Sequence, residues 1–352
     1  MQITVIGKNY FAKKLSDYLA QNKDDIVFTA AQAEIANRID LNPKDSNELK
    51  DFISANEIGL LIVADFEYAG CNFSDVLNET ECCVFCPERS ALRFCLNLSS
   101  GKKFAYKNKI QTTKFAVFEK SQQAFDYIQT ADFPIVIMPD SINKTQPPFI
   151  AETKEKARRQ AEFLFQTGNK RILIENYIHG TEYTAYIITD GINSLNLIDT
   201  VSYFDEISSN NTKYVDDSHK AKIKNELIPS FLNAFMEEGI EYQGILGIKF
   251  IIDNKGEIYF SKFKPFFDEL ETDIFLNTVE SDIKNLFYSA STGELLNNFG
   301  KAEINSKYVI TEDLNGEILT GCANTMSKAI DLLLFEGGDK KAISEAISHW
   351  KR

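Results

Sequence analysis

The chain's 352 residues exceed one ordinary core, and 44% hydrophobic with 25% charged residues is the make-up of a globular protein of two or three units. Thirty-eight Lys and Arg against 51 Asp and Glu leave a net charge of −13 with no long like-charge block, which argues against nucleic-acid or anionic-membrane partners but leaves room for a local basic pocket. Six cysteines are few for a disulfide scaffold, no apolar run reaches the ~18–20 residues of a membrane helix, and residues 1–7 enter a strand without a leader, so a cytoplasmic protein is expected.

Taken in chain order, the first hundred residues alternate strand and helix. Strands are expected over 2–6, 26–29, 58–63 and 83–85, with helices over 10–21, where Phe11, Leu15 and Leu19 share a face, and 47–56, where Leu49, Phe52 and Ile53 do. Near-continuous apolar strands separated by amphipathic helices predict a parallel sheet covered on both faces. The turn after the first strand, Gly7-Lys8-Asn9-Tyr10, has a single glycine, so the sheet is expected without a phosphate loop. The absence of a Gly-x-Gly-x-x-Gly turn also excludes a simple dinucleotide-binding dehydrogenase.

The middle of the chain reads as α+β. Helices are expected over 122–130, 153–166 and 225–238, and strands over 135–138, 171–177, 182–189 and 195–203. Strands 245–252 and 257–263 flank Asp253-Asn254-Lys255-Gly256, a strong hairpin signal. One closing helix over 273–291 is followed by strands at 307–311 and 317–319 and helices at 327–335 and 340–349. Cys82-Cys83-x-x-Cys86 lacks a second Cys pair or a nearby His and reads as small apolar residues about a strand. His179, His219 and His349 are too scattered in sequence to suggest a metal set.

Several segments carry a resemblance in order. These are Val84-Phe85-Cys86-Pro87, the stretches 110–112 and 133–137, the run from Ile172 through Glu175, His179 and Gly180 to Glu182, and Tyr242-Gln243-Gly244 with the hairpin behind it. Together they resemble the glycinamide ribonucleotide synthetase (phosphoribosylamine–glycine ligase) family of ATP-grasp proteins. The likeness covers nearly the whole chain, with the C-terminal lobe shortened and the stretch 208–220 condensed. It implies an α/β and α+β multidomain fold: an N-terminal parallel open-sheet domain over 1–108, ATP-grasp lobes with antiparallel strands over 109–292, and a short C-terminal lobe over 293–352.

The resemblance also implies a chemistry, in which ATP activates the glycine carboxylate as glycyl phosphate and the phosphoribosylamine nitrogen displaces phosphate. Matched position by position, Glu175 is the hinge residue of the adenine slot, Tyr177 and Ile178 follow it, and Glu182 accepts from ribose hydroxyls. Read without the resemblance, both glutamates are solvated strand-end carboxylates. The family lysine that contacts ATP phosphates is replaced by Met138, its Gly-Lys-Gly flap by Thr145-Gln146-Pro147, and its Ser-Lys pair by Asn97-Leu98. Lys102 lies four residues beyond that pair, and Asp140 is retained after the short strand. The magnesium ligands Glu-Phe-Asn become Lys262-Phe263-Lys264, and like charges at ~4 Å repel by on the order of 1–4 kcal/mol, so magnesium is not expected at that strand end. Lys262 and Lys264 read either as a solvated basic strand end or as fixed counter-charges for phosphate or phosphoribosyl oxygens, while Asp268 and Glu269, with Glu271, are candidates for a displaced metal site.

Two expectations follow from these substitutions. The first is a divergent family member whose ligase chemistry is lost or rerouted, binding a purine nucleotide or phosphoribosyl compound as a sensor, or serving another protein as a scaffold. The second is an active ATP-dependent ligase of purine synthesis, with Lys102, Asp140, Asp268 and Glu269 in displaced roles.

Overall fold

The computed structural model describes residues 1–142, 146–204, 207–210 and 215–350. Thr145 of the flap and residues 211–214 of the condensed stretch lie outside the described residues. The chain forms two compact units, one of residues 1–92, 183–247 and 264–352, the other of residues 93–182 and 248–263.

The first unit contains the expected parallel sheet, in the order Asn37–Arg38, Ile26–Thr29, Gln2–Ile6, Ile58–Val63, Cys83–Phe85. Its central strands Gln2–Ile6 and Ile58–Val63 are mostly apolar and buried, as expected of a parallel sheet covered on both faces, and Ile3 pairs with Val27 on one side and Leu60 on the other. The helix Tyr10–Ala20 buries Phe11, Leu15 and Leu19, and the Asn9 side chain caps it by accepting from Ala12 N. The turn before it is filled by protein groups. Lys8 N donates to Asp65 at 2.9 Å, and a Cβ on Gly7 would stand 2.5 Å from that of Ala12, so this glycine serves close packing.

In the same unit, antiparallel strands Ser194–Phe204, Ile207–Asn210, Tyr308–Leu314 and Glu317–Ala323 follow one another in space. Helices Met326–Phe335 and Lys340–Trp350 pack Leu333, Ile343 and Trp350 onto Ile207, Ile310 and Leu319 of this sheet. Two helix expectations are corrected. The closing helix is two helices, Glu269–Thr278 and Ile283–Thr292, because Val279 turns extended to bridge Ile304 and Asp282 starts a new N-cap on Asn285 N. Residues 225–238 are likewise irregular, a π-turn Ile223–Leu227 running into Ile228–Glu237, whose start holds Pro229 with no N–H to donate.

The second unit is built on a four-stranded antiparallel sheet in the order Phe115–Phe118, Ile172–Asn176, Ile135–Pro139, Phe149–Ala151. Strand alternation sorts its side chains. Ile135, Ile137, Ile172 and Ile174 pack against helices Ser121–Thr130 and Lys154–Gln166 on one face. Val136, Met138 and Leu173 face the other way, toward Leu98 at the start of the helix Leu98–Lys107. Residues from the hairpin strands Gln243–Asp253 and Ile258–Lys264 complete the unit. Among the described residues, no helix is long and apolar enough to cross a membrane.

Candidate functional site

On the open face of that four-stranded sheet lies a cavity of about 520 Å³, lined entirely by residues of the second unit. Register explains how it is furnished. Val136 sits opposite Glu175 and Met138 opposite Leu173, so the sheet offers the cavity one carboxylate in an otherwise apolar row. The strand Ile172–Asn176 then gives way to Tyr177 and Ile178, which also line the cavity, and to Gly180. A Cβ at Gly180 would stand 2.2 Å from the Ile252 carbonyl oxygen, so the chain passes the hairpin at a distance that only glycine tolerates.

Among the described residues, five charged side chains line the cavity: Lys102, Lys249, Lys262, Glu175 and Glu182. Lys102 Nζ lies 2.6 Å from Glu175 Oε2, with the two side chains only 2% and 9% exposed. Lys102 also donates to Thr113 Oγ1 at 3.0 Å, and Thr113 donates in turn to Glu175, closing a three-membered network. Lys249 Nζ reaches Glu182 Oε2 at 2.5 Å, nearer the solvent. Each pair holds its carboxylate as an acceptor, since a buried charge is tolerable only when paired and hydrogen-bonded. Lys262 and Ser261 of the strand Ile258–Lys264, together with Thr113, Ser141, Gln146, Asn176 and Tyr177, make up the rest of the polar wall among the described residues.

The rest of the wall is poor in donors. Leu98, Val136, Met138 and Ile150 are apolar, and Pro139, Pro147 and Pro148 have no N–H. Met138 packs with Leu98 and Leu173 and is almost completely buried.

Asp140 is not part of the cavity wall. It is buried at the start of the helix Leu98–Lys107, its Oδ1 accepting from Ser99 N and its Oδ2 from Ser99 Oγ at 2.7 Å each, while Arg171 Nη2 lies 2.8 Å from the same Oδ2. A carboxylate here satisfies orphan N–H groups and complements the positive end of the helix.

Comparison with known proteins places this architecture. The family model described as phosphoribosylglycinamide synthetase, ATP-grasp (A) domain, matches residues 99–272. The phosphoribosylamine–glycine ligase of Leptospira interrogans (serovar copenhageni) is 25% identical over 272 residues, covering 71% of this chain and 63% of that protein. That of Clostridium acetobutylicum is 24% identical over 320 residues, covering 84% of this chain and 76% of that protein. The crystal structure of phosphoribosylamine–glycine ligase from Thermotoga maritima superposes with a TM-score of 0.78 at 15% identity, over 95% of this chain and 96% of that one. The chain is a divergent member of the glycinamide ribonucleotide synthetase family of ATP-grasp proteins. The fold alone is shared more widely: N5-carboxyaminoimidazole ribonucleotide synthetase from Thermotoga maritima superposes with a TM-score of 0.64 at 16% identity, covering 89% of this chain and 80% of that one.

Family position therefore gives the remaining sequence candidates a context. Glu175, Tyr177, Ile178, Glu182, Lys262 and Lys102 come together around one cavity, whereas Asp140 lies behind it. Lys264 belongs to the first unit, where Lys264 Nζ is 2.8 Å from Asp268 Oδ2 and 2.5 Å from Glu271 Oε2. Asp268 and Glu271 also form a reciprocal capping box at the start of the helix Glu269–Thr278, and the Tyr203 hydroxyl donates to Glu271. Burial opposes the charge on Lys264, but the two carboxylates outweigh it and raise its pKa. Asp268 is likewise opposed by burial, yet the Lys264 ammonium holds its carboxyl down at about 2. Glu271 is pushed upward, first by burial and then by the charge of Asp268.

The family implies a divalent cation, which requires several hard oxygen donors on one centre. Among the described residues, no group of three or more His, Cys, Asp or Glu is placed to hold one. Asp268 and Glu271 turn oxygens toward an ammonium. These residues do not fit a magnesium ion as they stand. The partners Thr113, Lys249, Arg171 and Tyr203 are absent from the sequence-based site. Only the two-residue alternation of the hairpin, which puts Lys249 and Ile251 on one face, carried any signal for them.

Proposed function

We propose that the cavity binds a purine nucleotide or a phosphoribosyl compound, and that the ligase chemistry of the relatives is lost or rerouted in this chain. The observation that carries the reading is the pairing of Lys102 with Glu175 inside a cavity whose wall also holds Met138 and three prolines. Phosphoryl transfer to a carboxylate requires preorganised cations and N–H donors around the transferring group. Here one interior lysine is paired with a carboxylate, the strand position that the resemblance assigns to a phosphate lysine is a thioether, and three prolines in the adjoining wall have no N–H to offer. The apolar row and the two glutamates still suit a base and a ribose, which present a flat ring and hydroxyl donors.

An active ligase is the competing reading, and it needs Lys102 and Asp140 in reacting roles. Both side chains are engaged in buried networks whose disruption would leave a partner unpaired. The deciding experiment is an assay of ADP release dependent on both glycine and phosphoribosylamine, run beside calorimetric titration of adenine nucleotides with and without EDTA. The expected outcome is binding with little response to EDTA and no substrate-dependent ADP release. Turnover anywhere near the usual ~1–10³ s⁻¹ would establish the active ligase instead.

A further inference from the structure

We propose that this chain pairs with a second copy of itself through its two C-terminal helices, each copy seating Phe335 in a groove of the other. The inference is independent of what the cavity of the second unit binds, and every residue it uses belongs to the first unit.

The groove comes from the way these helices meet the sheet. Helix Met326–Phe335 turns Ala329 and Leu333 onto the strands, and helix Lys340–Trp350 does the same with Ile343, Ala346 and Trp350. Ile330 and Leu334 each follow a buried residue and lie to one side of that face. With Ile343 and Ile347 they line an open groove of about 380 Å³ between the helices.

The knob stands on the same helix. At 3.6 residues per turn, Phe335 lies about 200° round the axis from Leu333, so it cannot reach the sheet. It is 87% exposed, and Leu332, its neighbour one turn back, is 45% exposed. A phenyl ring suits a groove walled by four aliphatic side chains.

Charge decides the occupant. Lys340 lines the groove, Glu336 directly follows Phe335, and both are exposed. Lys341 faces Glu345 at 3.9 Å, whereas among the described residues neither Lys340 nor Glu336 has an ion-pair partner. A Phe335 that enters the groove of another copy brings its Glu336 toward that copy's Lys340. An aromatic knob with an acid behind it thus matches an apolar hole with a lysine in its lining. Knob and hole share one helix pair, so the contact is made twice about a two-fold axis and closes as a dimer. Two short helix faces form a small interface, and a dissociation constant of about 10–100 µM is expected.

The test is sedimentation velocity of the intact chain from about 2 to 300 µM. A shift from monomer toward dimer across that range is expected, and a monomer throughout overturns the inference. Phe335→Glu and Ser344→Trp, which change the knob and fill the groove from exposed positions, should each weaken association about tenfold or more. Variants that melt and dimerise like the wild type would place the contact elsewhere and overturn the inference. Glu336→Lys and Lys340→Glu should each weaken association about threefold to tenfold, and the double variant, which swaps the pair, should return to within about threefold of wild type. No recovery in the double variant would mean that the two charges do not meet, and overturns the arrangement. Growth beyond the dimer would mean that Phe335 seats in a third copy, and overturns the closed two-fold contact.

Discussion

The Lys264 ammonium lies 2.5 Å from the carboxylate of Glu271, a side chain with no solvent exposure, and 2.8 Å from that of Asp268. Tyr186 and Tyr203 enclose the group, with the Lys264 Nζ 6.0 and 5.8 Å from their ring centroids. A cation fixed covalently to the chain thus neutralises one fully buried carboxylate, Glu271, and one that is 35% exposed, Asp268. In an enzyme of this family, carboxylates near this strand end would be free for a metal.

Removing that cation should be costly. Lys264→Met leaves Glu271 charged and buried, and a loss of about 3–5 kcal/mol in urea unfolding is expected. Adding Glu271→Gln to the variant should recover part of the loss. The single variant should also gain a melting temperature that rises with millimolar magnesium, whereas the wild type should show none. A wild-type melting temperature that depends on magnesium would locate a metal site elsewhere in the chain.

The same cluster predicts a pH dependence. The Asp268 carboxyl is held at about 2, below its unfolded value near 3.9, so its contribution to stability is present above that unfolded value and is lost as pH falls toward 2. Glu271 acts in the opposite sense, because its pKa is raised and the folded state favours its protonated form as pH falls. Urea unfolding between pH 5 and about 2 should show a net acid loss in the wild type that is smaller in Lys264→Met, since the variant removes what holds Asp268 down. Equal slopes in the two proteins would mean that the ammonium does not control this carboxyl.

The Lys102–Glu175 pair calls for a double-mutant cycle. Lys102→Met or Glu175→Gln alone should each cost about 3–5 kcal/mol, because each strands a buried partner. The double variant should cost less than the sum, with a coupling of about 0.5–3 kcal/mol. Strict additivity would show that the two side chains do not depend on each other.

Asp140→Asn separates support from binding. Its carboxylate accepts two bonds from Ser99 and faces Arg171, and charge-assisted bonds contribute about 1.5–3 kcal/mol each, so a clear drop in melting temperature is expected. Nucleotide affinity of the folded variant should stay within roughly threefold of wild type. A collapse of affinity without loss of stability would place Asp140 against the ligand.

Much of the fold was legible in the residues. Apolar runs such as Ile58–Val63 and helical spacings such as Phe11, Leu15 and Leu19 are local patterns, and local patterns survive in one dimension. So does family membership, which is carried by the order of short motifs along the chain. The short strands Phe115–Phe118 and Phe149–Ala151 were not legible, because three or four residues carry too little periodicity and form only when a neighbouring strand supplies hydrogen bonds. The break at Val279 depends on Ile304, and the sequence around it reads as continuous helix.

By itself, then, the sequence determined the alternation of elements, the family, and which residue types stand at the family's site positions. Only the tertiary structure decided what each charge does. Lys102 looked like a solvated lysine in a Gly-Lys-Lys run and is instead the buried partner of Glu175. Lys262 and Lys264 looked alike two residues apart, yet one lines the cavity and the other neutralises Asp268 and Glu271. The physical reason is that a charge's energy is set by burial and by partners far away in sequence, and neither quantity exists until the chain has folded.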